Sequence, residues 1–105
     1  MKTYRVKITP DAKADLKRYM NYLKDVKKSS QAAKNVVQDF NATAAKLKNV
    51  AASLGDSENP KLKARNLKRI NFIKHDYFLL YRIEGEYVYV INMFHSLEDY
   101  ENKLI

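Results

Sequence analysis

The chain has 105 residues, 46% of them apolar, 20 Lys and Arg against 12 Asp and Glu, a formal net charge of +8, and no cysteine. That length predicts one domain. The missing cysteines exclude disulfides, thiolate chemistry and cysteine-ligated zinc. No apolar run approaches the roughly 18 residues of a membrane span, and the first ten residues lack the apolar core of a signal peptide, so no membrane partner and a cytoplasmic location are expected. The charge is uneven. Residues 2–36 hold ten cations against three acids, residues 37–60 two against three, and residues 61–75 six cations and no acid. A local concentration of one sign predicts a binding face for a phosphate-rich partner.

In chain order, Tyr4, Val6 and Ile8 alternate with Arg5, Lys7 and Thr9, the pattern of a half-buried strand. Thr9-Pro10-Asp11 reads as a helix start, with Thr9 as N-cap, Pro10 in the first turn and Asp11 beside the positive helix end. Ala12, Leu16, Tyr19, Met20 and Leu23 then recur at helical spacing, with Lys13, Lys17 and Lys24 elsewhere on the wheel. Lys27-Lys28-Ser29-Ser30 interrupts them, and either serine can cap a second helix. Its buried stripe is Ala33, Val36, Val37, Phe40, Ala44, Leu47, Ala51 and Leu54, and Gly55 is placed to end it.

Asp56 to Pro60 reads as a loop. A strand is predicted from about Leu67 to Lys74. Residues 77–83 and 87–94, rich in Tyr, Val, Ile and Phe, are stronger strands joined at Glu84-Gly85-Glu86 into an antiparallel hairpin. Leu97 to Leu104 reads as a short terminal helix. The fold class is α+β, in the order β-α-α-β-β-β-(α), with a helical hairpin packed on one face of a small, mostly antiparallel four-stranded sheet. Tyr77, Tyr81, Tyr87 and Tyr89 share one parity within their strands. Packing beneath the helices is the expected place for most of them.

The chain resembles the RelE/ParE superfamily of bacterial type II toxins, also labelled plasmid-stabilisation proteins. Three segments carry the resemblance: Tyr4-Arg-Val-Lys-Ile-Thr-Pro10-Asp-Ala-Lys-Ala-Asp-Leu16; Tyr77-Phe-Leu-Leu-Tyr81-Arg-Ile; and Val90-Ile-Asn-Met-Phe-His95 with Asp99-Tyr100. It implies a growth-inhibiting toxin neutralised by a cognate antitoxin. Members either cleave mRNA on the ribosome or poison DNA gyrase. The antitoxin is expected to be acidic and partly disordered, folding on binding across the sheet edge or the helical hairpin.

Metal-free RNA cleavage needs a base for the 2′-hydroxyl, cations for the phosphate and an acid for the leaving oxygen. The candidate endoribonuclease residues are His95 and Tyr100 for proton transfer, and Arg69 and Arg82 for bidentate phosphate contact. Arg65, Lys68 and Lys74 add RNA-binding counter-charge. His95 has three readings: an acid/base, a phosphate hydrogen-bonder, or a residue that ends the last strand. His75 reads as solvated, and Asp99 as a local cap. Neither a metal nor an organic cofactor is suggested, since acids are scattered and no glycine-rich phosphate loop exists with only two glycines. Two departures stand against the mRNA-cleaving branch. Phe78 occupies the position after Tyr77 where that branch carries Arg, and Lys68-Arg69 is followed by Asn71 and Phe72. The alternatives are a non-enzymatic ParE-like gyrase poison and a non-toxic basic nucleic-acid module. The basic run and His95 lean the sequence toward mRNA cleavage.

Overall fold

Seven elements form in the computed structural model, which describes residues 3–53 and 60–97. They are β1 (Arg5–Ile8), α1 (Pro10–Asp25), α2 (Ser30–Val50), α3 (Pro60–Ala64), β2 (Lys68–Asn71), β3 (Tyr77–Glu84) and β4 (Tyr87–His95). The four strands lie in the order β1-β4-β3-β2. Only the β1–β4 pair is parallel. The α+β order read from the sequence is therefore correct. The proposed terminal helix, Tyr100, Leu54 and the Gly55 cap lie outside the described residues.

The start of α1 follows from three residues. The Thr9 hydroxyl oxygen accepts the Ala12 N–H at 3.2 Å, Pro10 opens the first turn, and Asp11 adds an acid there. Ser29 caps α2 in the same way, accepting the Ala32 N–H at 3.1 Å. The hairpin between β3 and β4 turns on Gly85, whose φ of +60° is open to a residue without a Cβ. Glu84 pairs with Tyr87, so the loop is two residues with glycine first, as a type II′ turn requires.

The sheet is covered on both sides, which the sequence did not predict. On the helix face, Tyr77, Leu79, Tyr81, Val88, Val90 and Met93 pack against Ala12, Tyr19, Val36, Phe40 and Leu47. On the back face, Leu62 of α3 and Leu67 pack on Phe78, Leu80 and Phe94. The stretch after Pro60 is thus a short helix closing a second, smaller core. The predicted 67–74 strand shortens to Lys68–Asn71, because residues 72–76 turn toward α2.

Tyr81 links the two layers. Its hydroxyl donates to the Ala51 carbonyl at the end of α2, 2.9 Å away. Burial pushes this phenol up to about 12, so it remains a donor throughout the neutral range. Tyr81→Phe is expected to cost about 1 kcal/mol, because a buried carbonyl loses its donor. Urea melts compare the two proteins directly; equal midpoints contradict the role given to this bond.

A β-bulge decides where the tyrosines go. The β3–β4 register shifts between Leu80, opposite Asn92, and Tyr81, opposite Val90, leaving Ile91 as an extra residue. One extra residue reverses which side chains face the helices. Tyr77 and Tyr81 lie in the helix-face core as expected, but beyond the bulge Val88 and Val90 take that place. Tyr87 and Tyr89 consequently stand on the back face, correcting the shared-parity expectation. Helix α1 satisfies the polar groups beside the bulge. Asp15 accepts the Met93 N–H at 3.0 Å and the Asn92 amide at 3.1 Å. The Thr9 hydroxyl donates toward the Val90 and Ile91 carbonyl oxygens, at 2.8 and 3.1 Å.

Candidate functional site

His95 sits at the end of β4 on the helix face. Its ring meets Tyr77 edge-on, with centroids 5.1 Å apart, and its backbone N–H donates to the Tyr19 hydroxyl at 3.1 Å. Nδ1 accepts the Leu97 N–H at 3.1 Å, which places the proton of a neutral ring on Nε2. His95 is thereby tied into the end of the strand. Around it, Arg18, Tyr19, Tyr22, Tyr77 and Leu97 line a cleft of about 420 Å³. The Arg18 guanidinium lies over Tyr19, 4.8 Å from the ring centroid, and 3.5 Å from Asp15. Burial, with a smaller contribution from the charge of Tyr22, raises the Tyr77 phenol. Tyr77 is therefore a hydrogen-bond donor and not a base at neutral pH.

Arg69 lies on the other side of the sheet. It pairs with Leu80, its guanidinium sits 3.8 Å from the centroid of Phe78, and its Nε donates to Asn71 at 2.9 Å. Arg82 shares the back face, with Nε donating to Glu84 at 2.9 Å and its guanidinium 5.5 Å from the Tyr89 centroid. The sheet thus separates His95 from Arg69 and Arg82. Tyr100 and Asp99 lie outside the described residues.

The basic run does not form one face. Arg65 is exposed in the turn that follows α3. Lys68, half-buried, alternates with Arg69 and shares the parity of Ile70, so it points to the helix face. Lys74 is exposed in the 72–76 turn, its backbone N–H held by Asp39 at 2.9 Å.

That turn contains a cluster missed in the sequence. Asp39 of α2 is buried, 5% exposed, and its carboxylate accepts the N–H groups of Ile73 (3.1 Å) and Lys74 (2.9 Å). It also contacts His75 Nδ1 at 2.7 Å. Burial alone works to raise the Asp39 carboxyl. The His75 hydrogen bond, the two backbone donors and the charge of His75 outweigh it and hold the group below its ordinary 3.8. His75 is thus a partner of a buried carboxylate, not the solvated residue expected. The only sequence signal was an acid on the buried face of a helix. Among the described residues no helix is long and apolar enough to cross a membrane.

A family model described as the ParE toxin of the type II toxin–antitoxin system parDE matches residues 6–100. Among solved structures, the fold is similar to the chromosomal ParDE toxin–antitoxin system from P. aeruginosa. That match has a TM-score of 0.72 and 21% identity, and covers 89% of this chain and 96% of the other. It is also similar to the RelBE2 toxin–antitoxin complex from Mycobacterium tuberculosis, at TM-score 0.59 and 21% identity, covering 93% of this chain and 97% of the other. At that identity the structures speak for the fold. No curated protein sequence matches the chain. The family match spans the β1 edge, the helical hairpin and the whole bulged sheet, and on it the chain belongs to the ParE toxin family of type II toxin–antitoxin systems.

Proposed function

We propose that this toxin inhibits growth by binding DNA gyrase, as a non-enzymatic poison, and that an acidic antitoxin neutralises it. The separation of His95 from Arg69 across the sheet carries this reading. A metal-free ribonuclease needs its proton-transfer groups and its phosphate-holding cations around one scissile bond. Phe78 supports it further, since the position that holds arginine in mRNA-cleaving members is here a buried aromatic ring. The antitoxin fits a groove of about 600 Å³ along the helical hairpin. Met20, Ala33 and Val37 give it an apolar floor, and Lys24 and Lys34 flank it with positive charge.

Ribosome-dependent mRNA cleavage by His95, Arg69, Arg82 and Tyr100, with Arg65, Lys68 and Lys74 holding RNA, is the second reading. Arg69 and Arg82 sharing the back face favours it. Induction in bacteria separates the two. The expected result is growth arrest, gyrase-dependent DNA breaks in a purified assay, whole ribosome-bound transcripts, and undiminished toxicity of His95→Ala. Loss of a proton-transfer group in a nuclease typically costs about 10²–10⁴ in rate. Transcripts cut within ribosomes, with His95→Ala harmless to the cell, would reverse the conclusion.

A further inference from the structure

Beyond the bulge, Tyr87 and Tyr89 stack on the back face with ring centroids 6.1 Å apart and an interplanar angle of 26°. Both rings are half-buried. Cations border them on two sides. Arg5 and Lys7 lie on the edge strand β1, where they pair with Tyr87 and Tyr89. Arg82 lies on β3, opposite Tyr89. Arg5 and Lys7 are exposed and alternate with Tyr4, Val6 and Ile8, which belong to or pack against the helix-face core. Lys7 Nζ is 6.0 Å from the Tyr87 centroid, and the Arg82 guanidinium is 5.5 Å from that of Tyr89. Glu84 holds Arg82 at 2.9 Å.

We propose that this surface binds single-stranded nucleic acid. Two residues apart on a strand, Arg5 and Lys7 stand about 7 Å from each other, and the tyrosine row runs beside them about 4.8 Å away. A row of cations beside a row of rings serves both halves of a nucleotide, the phosphate and the π face of the base. An acidic peptide uses the cations and has no use for the rings. A duplex keeps its bases stacked away from them. Lys7 and Arg82 lie over the rings and have long flexible side chains that move aside to meet phosphate. Glu84 competes for Arg82 and sets a limit on affinity. Neither the 61–75 run nor His95 takes part, and the surface is independent of the gyrase reading, which stands or falls on its own assay.

Fluorescence anisotropy with a short labelled oligothymidylate tests this on the purified chain. Tyr87→Leu and Tyr89→Leu are each expected to weaken binding about tenfold, the effect of one lost base stack. Arg5→Gln with Lys7→Gln weakens it and flattens its salt dependence, because fewer counterions are released. Glu84→Gln tightens it. Lys13→Gln with Lys24→Gln, on α1, leaves it unchanged. Polyglutamate competing as well as oligothymidylate, or a preference for duplex, overturns the proposal. So does unchanged affinity in Arg5→Gln/Lys7→Gln, an exposed pair whose replacement needs no repacking and remains decisive even if a tyrosine variant misfolds.

Discussion

Phe78→Arg is expected to unfold the protein, not to restore a nuclease. Phe78 is fully buried and packs with Leu62, Leu67, Leu80 and Phe94 in the core between the sheet and α3. Arginine at that place buries a charge whose desolvation costs several kcal/mol, and it faces the Arg69 guanidinium already 3.8 Å from the ring centroid. The ring and its packing are lost as well, which alone costs about 3–5 kcal/mol when a large aromatic is removed from a core. Small domains hold about 5–15 kcal/mol in total, so the sum consumes most or all of the stability. Phe78→Leu keeps the apolar contact and is expected to cost about 1–2 kcal/mol. Thermal melts of the two variants distinguish a core position from a vacated catalytic one. A Phe78→Arg protein that melts with the wild type shows that α3 does not seal this face.

Asp39→Ala is expected to cost about 3 kcal/mol at neutral pH. It strips the acceptor from the Ile73 and Lys74 N–H groups and from His75 in one step, and hydrogen bonds to a buried charge are worth about 1.5–3 kcal/mol each before the turn relaxes. The pH dependence has a definite sign. The folded carboxyl lies below its ordinary 3.8, so the unfolded chain takes up this proton more readily than the native one. The contribution is complete above that ordinary value and is lost as pH falls through the depressed one. Asp39→Asn therefore differs from wild type most at neutral pH, and the gap narrows below about 4. Urea midpoints at several pH values measure it. A gap that stays constant into strong acid assigns the loss to shape and not to charge.

Local chemistry was legible where the residues that carry it are close in the chain. Thr9-Pro10-Asp11 started α1 and Ser29 capped α2 as their side chains dictate, and Gly85 turned the hairpin because it has no Cβ. What escaped depends on pairing over distance. The role of Asp39 escaped because its partners lie 34 to 36 residues ahead. Leu62 was hidden among lysines, and nothing in so short a helix signals which sheet face it covers. The bulge at Ile91 leaves no compositional mark, yet it reverses the orientation of everything before it in β4. His95 and Arg69 are compatible in chemistry, and only strand parity reveals that a sheet stands between them.

The parallel pairing of β1 with β4 also constrains the order of events as the chain is made. Thr9 and Ile91, bonded side chain to backbone, are 82 residues apart. Until β4 has emerged from the ribosome, β1 has no strand to join, and the bulge that Thr9 and Asp15 clasp does not exist. A contact that closes so long a loop is slow to form and late to be rewarded. The helical hairpin, held by near neighbours, can assemble first. The nascent chain therefore presents its helices before its sheet is complete.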